Sequence, residues 1–160
     1  MAAFLLIASD VLPFDGPRIR APQVYDLMME HECWELSERS PFRKEMKPGD
    51  TFVFYLGGNH GRYIAGEAKL AGEIEPITKD SPVTFDRKQV PFFTLRVPVT
   101  DIVRYKAHSA DIDTIARLSF AKASDVERKY IGLLLRGGVR KLTDGDLKVI
   151  RSEAEVEAKI

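Results

Sequence analysis

The stretch Lys47–Gly58, KPGDTFVFYLGG, constrains the fold of this chain more than any other. A Pro-Gly turn leads into a block of β-branched and aromatic residues, and a glycine pair ends it. Such a block reads as a strand, Thr51–Leu56. A second strand-like run, Tyr63–Ala71, follows after a short glycine-rich connection, GGNHG. A parallel crossover needs about a dozen residues or more, so these two strands must pair antiparallel. On the first, Thr51, Val53 and Tyr55 face one side and Phe52, Phe54 and Leu56 the other, and one set must be core. On the second, strict alternation puts Tyr63, Ala65, Glu67 and Lys69 on one face and Ile64, Gly66, Ala68 and Leu70 on the other. Gly66 allows a ring or another backbone to approach closely. Asp50 reads as a turn-forming side chain.

Around this hairpin the chain divides into short elements. Phe4–Ser9 reads as a buried first strand. Its apolar run is short for a signal peptide and lacks a basic flank, and nothing reaches the roughly 20 apolar residues of a membrane span. A Pro- and Gly-rich loop leads to a helix over Ala21–Cys33, with Pro22 in its first turn and Val24, Leu27, Met28 and His31 near one face. Trp34 falls at its end, and ELSERSPFRKEM, polar and broken at Pro41, is a loop or a short helical turn. Lys79–Gln89 reads as a long loop. Val90–Val99 reads as a strand whose prolines, Pro91 and Pro98, confine its ends to edge positions, with Asp101–Tyr105 continuing it. Asp111–Leu118 is a short helix, SFAKASDVERK a loop, and Tyr130–Leu135 a strand closed by Gly137-Gly138. Thr143 opens the last helix with Asp146 at capping-box spacing. Residues 1–150 are expected to form a single domain, with 151–160 the fraying end of that helix. The sum is α+β, a small curved sheet with a few helices.

Composition narrows the function. The 24 Lys and Arg are matched by 24 Asp and Glu. That balance argues against a generic polyanion binder, which carries a global excess of base, but leaves room for a local basic face. One cysteine, Cys33, excludes an internal disulfide and a cysteine-rich zinc site, and fits a reducing, cytoplasmic compartment. His31, His60 and His108 lack metal-ligand spacing. The chain contains no HExxH, no GxGxxG after a strand, no GxxxxGK and no GxSxG. No catalytic residue, metal or cofactor is therefore assigned, and no membrane partner is expected.

Trp34, then MKPGDTFVFYLGG, YIAGEAKL and ARLSF, followed by a strand and a final helix, resembles the EVE domain, a family of the PUA-like superfamily related to YTH and ASCH domains. The resemblance runs from the first strand to about Ile150. It implies a curved, barrel-like sheet with peripheral helices, and a partner that is DNA or RNA carrying a modified base, or a free nucleobase-like ligand. Recognition of a base outside a helix needs a flat π-surface and a few groups that read its edge. Trp34 is the one tryptophan and the largest flat face; a core plug is its other reading. Tyr55 closes a pocket or bonds across the sheet. Ser37, Ser40 and Phe42 lie in the loop where the family's pocket residues cluster, and Ser119 and Phe120 match its segment after the short helix. Arg117, Lys122, Arg128, Lys129 and Arg140 form a local basic excess suited to phosphate. Two other classes remain open at this stage: a small ASCH-like hydrolase using Lys47, Tyr63, Glu67 and Lys69, and a small-molecule or protein-interaction module.

Overall fold

The computed structural model describes residues 1–11, 17–58, 61–78, 93–135 and 138–160, without the side chain of Arg128. His60, the Lys79–Gln89 loop and the start of the Val90–Val99 strand lie outside these residues. The described elements are β1 (Ala3–Ala8), α1 (Ala21–Glu30), β2 (Cys33–Leu36), β3 (Thr51–Leu56), β4 (Tyr63–Leu70), β5 (Glu75–Pro76), β6 (Leu95–Tyr105), α2 (Ile112–Ala116), α3 (Ser119–Ser124), a 3-10 helix (Arg128–Leu135), β7 (Val139–Leu142), α4 (Asp144–Glu153) and β8 (Val156–Lys159).

The strands form one eight-stranded sheet, ordered β2-β6-β4-β3-β1-β7, with β5 and β8 also paired to β6. β3 and β4 pair antiparallel, as the short connection requires. β1 and β3 run parallel, from Ala3 opposite Thr51 to Ala8 opposite Leu56; α1, β2 and the 37–50 segment make the crossover between them. The Lys47–Asp50 corner is fixed by Asp50, whose carboxylate accepts from the Lys47 amide (2.9 Å) and the Ala2 amide (3.1 Å). Gly49 has φ +90°, which suits a residue without Cβ.

All of β3 is buried, because both faces of the sheet are covered. Phe52, Phe54 and Leu56 join Phe4, Leu6, Val24, Met28 and Trp34 beneath α1. Val53 and Tyr55 join Leu5, Ile64, Ile115, Leu118, Ile131 and Ile150 under α2, α3, α4 and the 3-10 helix. The strict alternation expected for β4 fails for a local reason. Phe54 pairs with Gly66 but Tyr55 with Ile64, so Ala65 is an extra residue. This bulge moves Ala68 and Leu70 to the α1 side, beside Tyr63 and Ala65. A second bulge places Asp101 of β6 at φ +51°. Bulges bend strands and increase their twist, and so help curve the sheet.

Four expectations are corrected. The α1 helix stops at Glu30, and Cys33–Leu36 is a strand paired with Pro98–Leu95; Trp34 therefore projects from a strand, not a helix end. Ser119–Ser124 is a helix rather than a loop, because Asp146 from α4 takes its first amide, a cap supplied from distant sequence. Tyr130–Leu135 is 3-10 helical rather than a strand: Ile131 and Leu135, four apart, are buried while Tyr130 and Leu133 are exposed, a helical period. The strand in this region is β7, whose Val139 and Leu142 are buried. The end of the chain is not a fraying helix. Helix α4 ends at Glu153, and β8 pairs antiparallel with β6 through backbone bonds, though all four of its residues are exposed.

Candidate functional site

On the α1 side of the sheet lies a cavity of about 300 Å³. The end of β1 (Ile7, Ala8) and the residues after it (Ser9–Val11) form one wall. Val24 and Met28 of α1, Trp34–Ser37, Ser40, Phe93 and Gly138 complete it. The volume falls at the lower end of the roughly 300–1,000 Å³ usual for small-ligand pockets.

Trp34 holds its place by packing. Strand alternation turns it inward with Leu36, and its ring lies 4.7 Å from Phe54 at an interplanar angle of 39°. It is 5% exposed, yet borders the cavity. It is thus both a core residue and a pocket wall. One hydroxyl of the site belongs to Ser9 after β1, and two come from the turn after β2. Ser37 donates its amide to Ser40 Oγ (3.2 Å), and the Ser40 amide returns to the Ser37 carbonyl (3.1 Å). Two carboxylate residues also border the cavity. Glu35 is 2% exposed. Asp10 accepts from the Ala21 amide (2.9 Å) and Arg20 (3.1 Å), with Arg18 at 3.9 Å. Burial works to raise the Asp10 carboxyl, but the Ala21 amide and the two arginines outweigh it and hold it below the ordinary range.

Of the predicted pocket residues, the structure brings together Trp34, Ser37 and Ser40. Phe42 lies just beyond, 37% exposed, with its ring 6.3 Å from Phe4. Tyr55 projects to the opposite face, beside a separate hollow with Arg62, Ile112, Lys129 and Gly132; burial pushes its hydroxyl up to about 12, against the pull of Arg62. Ser119 donates its amide (2.8 Å) and hydroxyl (2.5 Å) to Asp146. Phe120 packs on that same face under the guanidinium of Arg140, 5.4 Å away.

The predicted phosphate residues belong to that side as well. Arg117 is paired with Glu153 (2.6 Å), Lys129 with Glu127 (3.4 Å), and Arg140 donates to the Leu134 carbonyl (2.8 Å). Lys122 is exposed in the last turn of α3. The Arg128 side chain lies outside the described residues. Of the hydrolase candidates, Lys47 is exposed beside its turn, Tyr63 packs against His108 (4.4 Å) and Lys69 is exposed. Glu67 is held by Arg151 through a two-pronged contact (3.0 and 2.7 Å) and by the Tyr105 hydroxyl. Burial raises Glu67, but these donors overcome it and lower its carboxyl. Among the described residues, no group of three or more His, Cys, Asp or Glu could hold a metal ion.

Sequence reasoning missed the β1 end, Val24, Met28, Glu35 and Phe93. The Pro- and Gly-rich loop signal after β1 is the only local pointer to the first of these.

A curved mixed sheet clad by helices on both faces, with its cavity beside the end of the first strand, is a PUA-like domain. Residues 23–153 match the EVE domain, and the chain belongs to that family. By sequence, no curated protein matches it. Its fold is similar to that of human THYN1, solved in complex with 5-methylcytosine-containing DNA (17% identity, 95% of this chain and 96% of that one, TM-score 0.55). It is similar also to a Pseudomonas putida protein (16% identity, 94% and 98%, TM-score 0.57). A third likeness is to the YTH domain of Zygosaccharomyces rouxii MRB1, solved with N6-methyladenosine RNA (9% identity, 94% and 84%, TM-score 0.55). At these identities the likeness is one of fold.

Proposed function

We propose that this EVE domain is a nucleic-acid-binding module that takes one modified or flipped base of DNA or RNA into the Trp34 cavity. The observation that carries the reading is the combination in one cavity of a packed indole with the polar groups of Ser37 and Ser40. An indole held on Phe54 is a preset stacking surface, so little ordering opposes a base laid on it. Hydroxyls and strand-edge backbone groups can read the base edge. The shared fold of two proteins solved with modified nucleic acids, THYN1 and the YTH domain, supports the reading.

Binding rather than catalysis is favoured by Glu67. The carboxylate that a hydrolase would use is tied to Arg151 and Tyr105, away from the cavity.

The test is titration of the protein with free nucleosides and with short single strands, unmodified or carrying 5-methylcytosine or N6-methyladenine. The expected result is tighter binding of at least one modified probe than of its unmodified match. Equal affinity across the modified and unmodified pairs would refute the proposal.

A further inference from the structure

We infer that the phosphates flanking the bound base contact cations at the cavity rim: Arg18 and Arg20 from one segment, and Arg39 from another. The inference rests on the reading of the cavity as a base site.

Both segments are attached to cavity walls. Arg18 and Arg20 flank Asp10, which borders the cavity and presents one carboxylate to two guanidiniums. Their side chains remain 52% and 42% exposed, and each guanidinium has five N–H donors, more than Asp10 can engage. Arg39 lies between Ser37 and Ser40, both of which border the cavity. Arg39 and Lys44 are exposed and Arg43 half-buried. Among the described residues, none of these three has a hydrogen bond or ion pair. The one uncompensated acid in this turn is the exposed Glu38, since Glu45 is paired with Lys141 at 2.9 Å.

The turn is also fixed in place. Phe42 lies against Phe4, Glu45 is tied to Lys141 of β7, and the Glu45 amide bonds the Phe42 carbonyl at 2.8 Å. The basic residues singled out from the sequence are situated differently. Arg117, Lys129 and Arg140 are already engaged within the protein. Arg39 is unpaired among the described residues, and Arg18 and Arg20 keep N–H donors that their shared carboxylate does not engage, so a phosphate at the cavity need displace no internal partner. A free nucleoside carries no phosphate and gains nothing from them; a nucleotide within a strand has one on each side.

The experiment compares Arg18→Gln/Arg39→Gln with Lys122→Gln/Lys129→Gln. Probes are a short single strand carrying 5-methylcytosine or N6-methyladenine, the unmodified strand and the matching nucleosides, over a range of salt. For the first variant the slope of log affinity against log salt is expected to fall by about 1.4, about 0.7 per lost single-strand contact. Nucleoside binding and thermal unfolding should be unchanged. The second variant is expected to keep the wild-type slope. If the preference for the modified strand persists but the Arg18/Arg39 slope equals that of wild type, the rim assignment is overturned while the cavity reading survives. If wild type shows no preference for modified over unmodified probes, both fall.

Discussion

Trp34→Ala separates the two roles that the structure gives this residue. The indole is 5% exposed and packed at a tilt against Phe54, with ring centroids 4.7 Å apart. Removing a buried tryptophan costs about 3–5 kcal/mol when the space cannot collapse. Trp34 already borders a cavity, so fewer contacts are lost than in a closed core, and the expectation is about 3 kcal/mol. A domain with a total stability of roughly 5–15 kcal/mol tolerates that loss and remains folded at room temperature. Loss of the stacking face should independently weaken base binding by about 1–3 kcal/mol, roughly 5- to 150-fold in Kd. Trp34→Phe retains a smaller ring and should lose less on both measures. Urea denaturation and titration with the preferred modified nucleoside, run on all three proteins, give both quantities. If Trp34→Ala is destabilised on this scale while its folded fraction binds as tightly as wild type, the indole is only packing and the stacking argument is wrong.

Asp146→Ala removes the acceptor shared by α3 and α4, which takes the Ser119 amide and hydroxyl and the Thr143 amide; two caps at about 1 kcal/mol each plus their charged character predict a loss of about 2–4 kcal/mol in chemical denaturation. Burial raises this carboxyl, but those donors outweigh it and its folded pKa is lowered, so its contribution is present above the ordinary carboxylate range near pH 4 and lost as pH falls through the folded value. The gap between wild type and Asp146→Ala should accordingly be widest near neutral pH and close in acid; a gap that is constant with pH would count against the carboxylate as its source. Gly66→Ala would push a Cβ onto the Val103 carbonyl and the Tyr25 hydroxyl, at a cost of about 1–3 kcal/mol or more in thermal unfolding, and Tyr25→Phe in the same chain should recover only part because the Val103 carbonyl stays. Tyr25→Phe alone deletes a buried hydroxyl that has no hydrogen-bond partner among the described residues; it should be neutral or raise stability by about 1 kcal/mol, and a clear loss would reveal an unrecognised partner.

The hairpin was legible because its signals are local. A Pro-Gly corner, an aromatic block and a short return segment specify β3 and β4 without help from distant residues. The same holds for α4, whose Thr143–Asp146 box forms as expected. Elements fixed by distant partners were not legible. VRKL carries two cations in four residues and presents no apolar alternation, yet it forms β7 because β1 offers an open edge. Residues Val156–Lys159 bury no side chain and are held through β6. Helix α3 depends on an acid 27 positions beyond its first residue. Tyr130–Leu135 misleads in the opposite direction: a continuous apolar run suits strand or helix equally, and only the burial of Ile131 and Leu135 decides.

The same distinction accounts for the site. Trp34, Ser37 and Ser40 fall within one short segment, so a local reading could group them. The remaining walls, from the end of β1 and from α1, meet them because β1 and β3 run parallel and the chain between must cross the sheet face. Ser119 and Phe120 were grouped with Trp34 by family likeness, and the intervening sheet parts them: Ser119 caps against Asp146 and Phe120 packs on the opposite core. The correction from helix end to strand matters most for Trp34 itself. A ring at a helix end could turn toward solvent. Alternation on β2 instead directs it inward with Leu36, so its orientation is set before any ligand arrives. Any stacking energy it supplies is therefore not reduced by the ordering of a loose side chain, which costs about 0.5–1.5 kcal/mol for a mobile one.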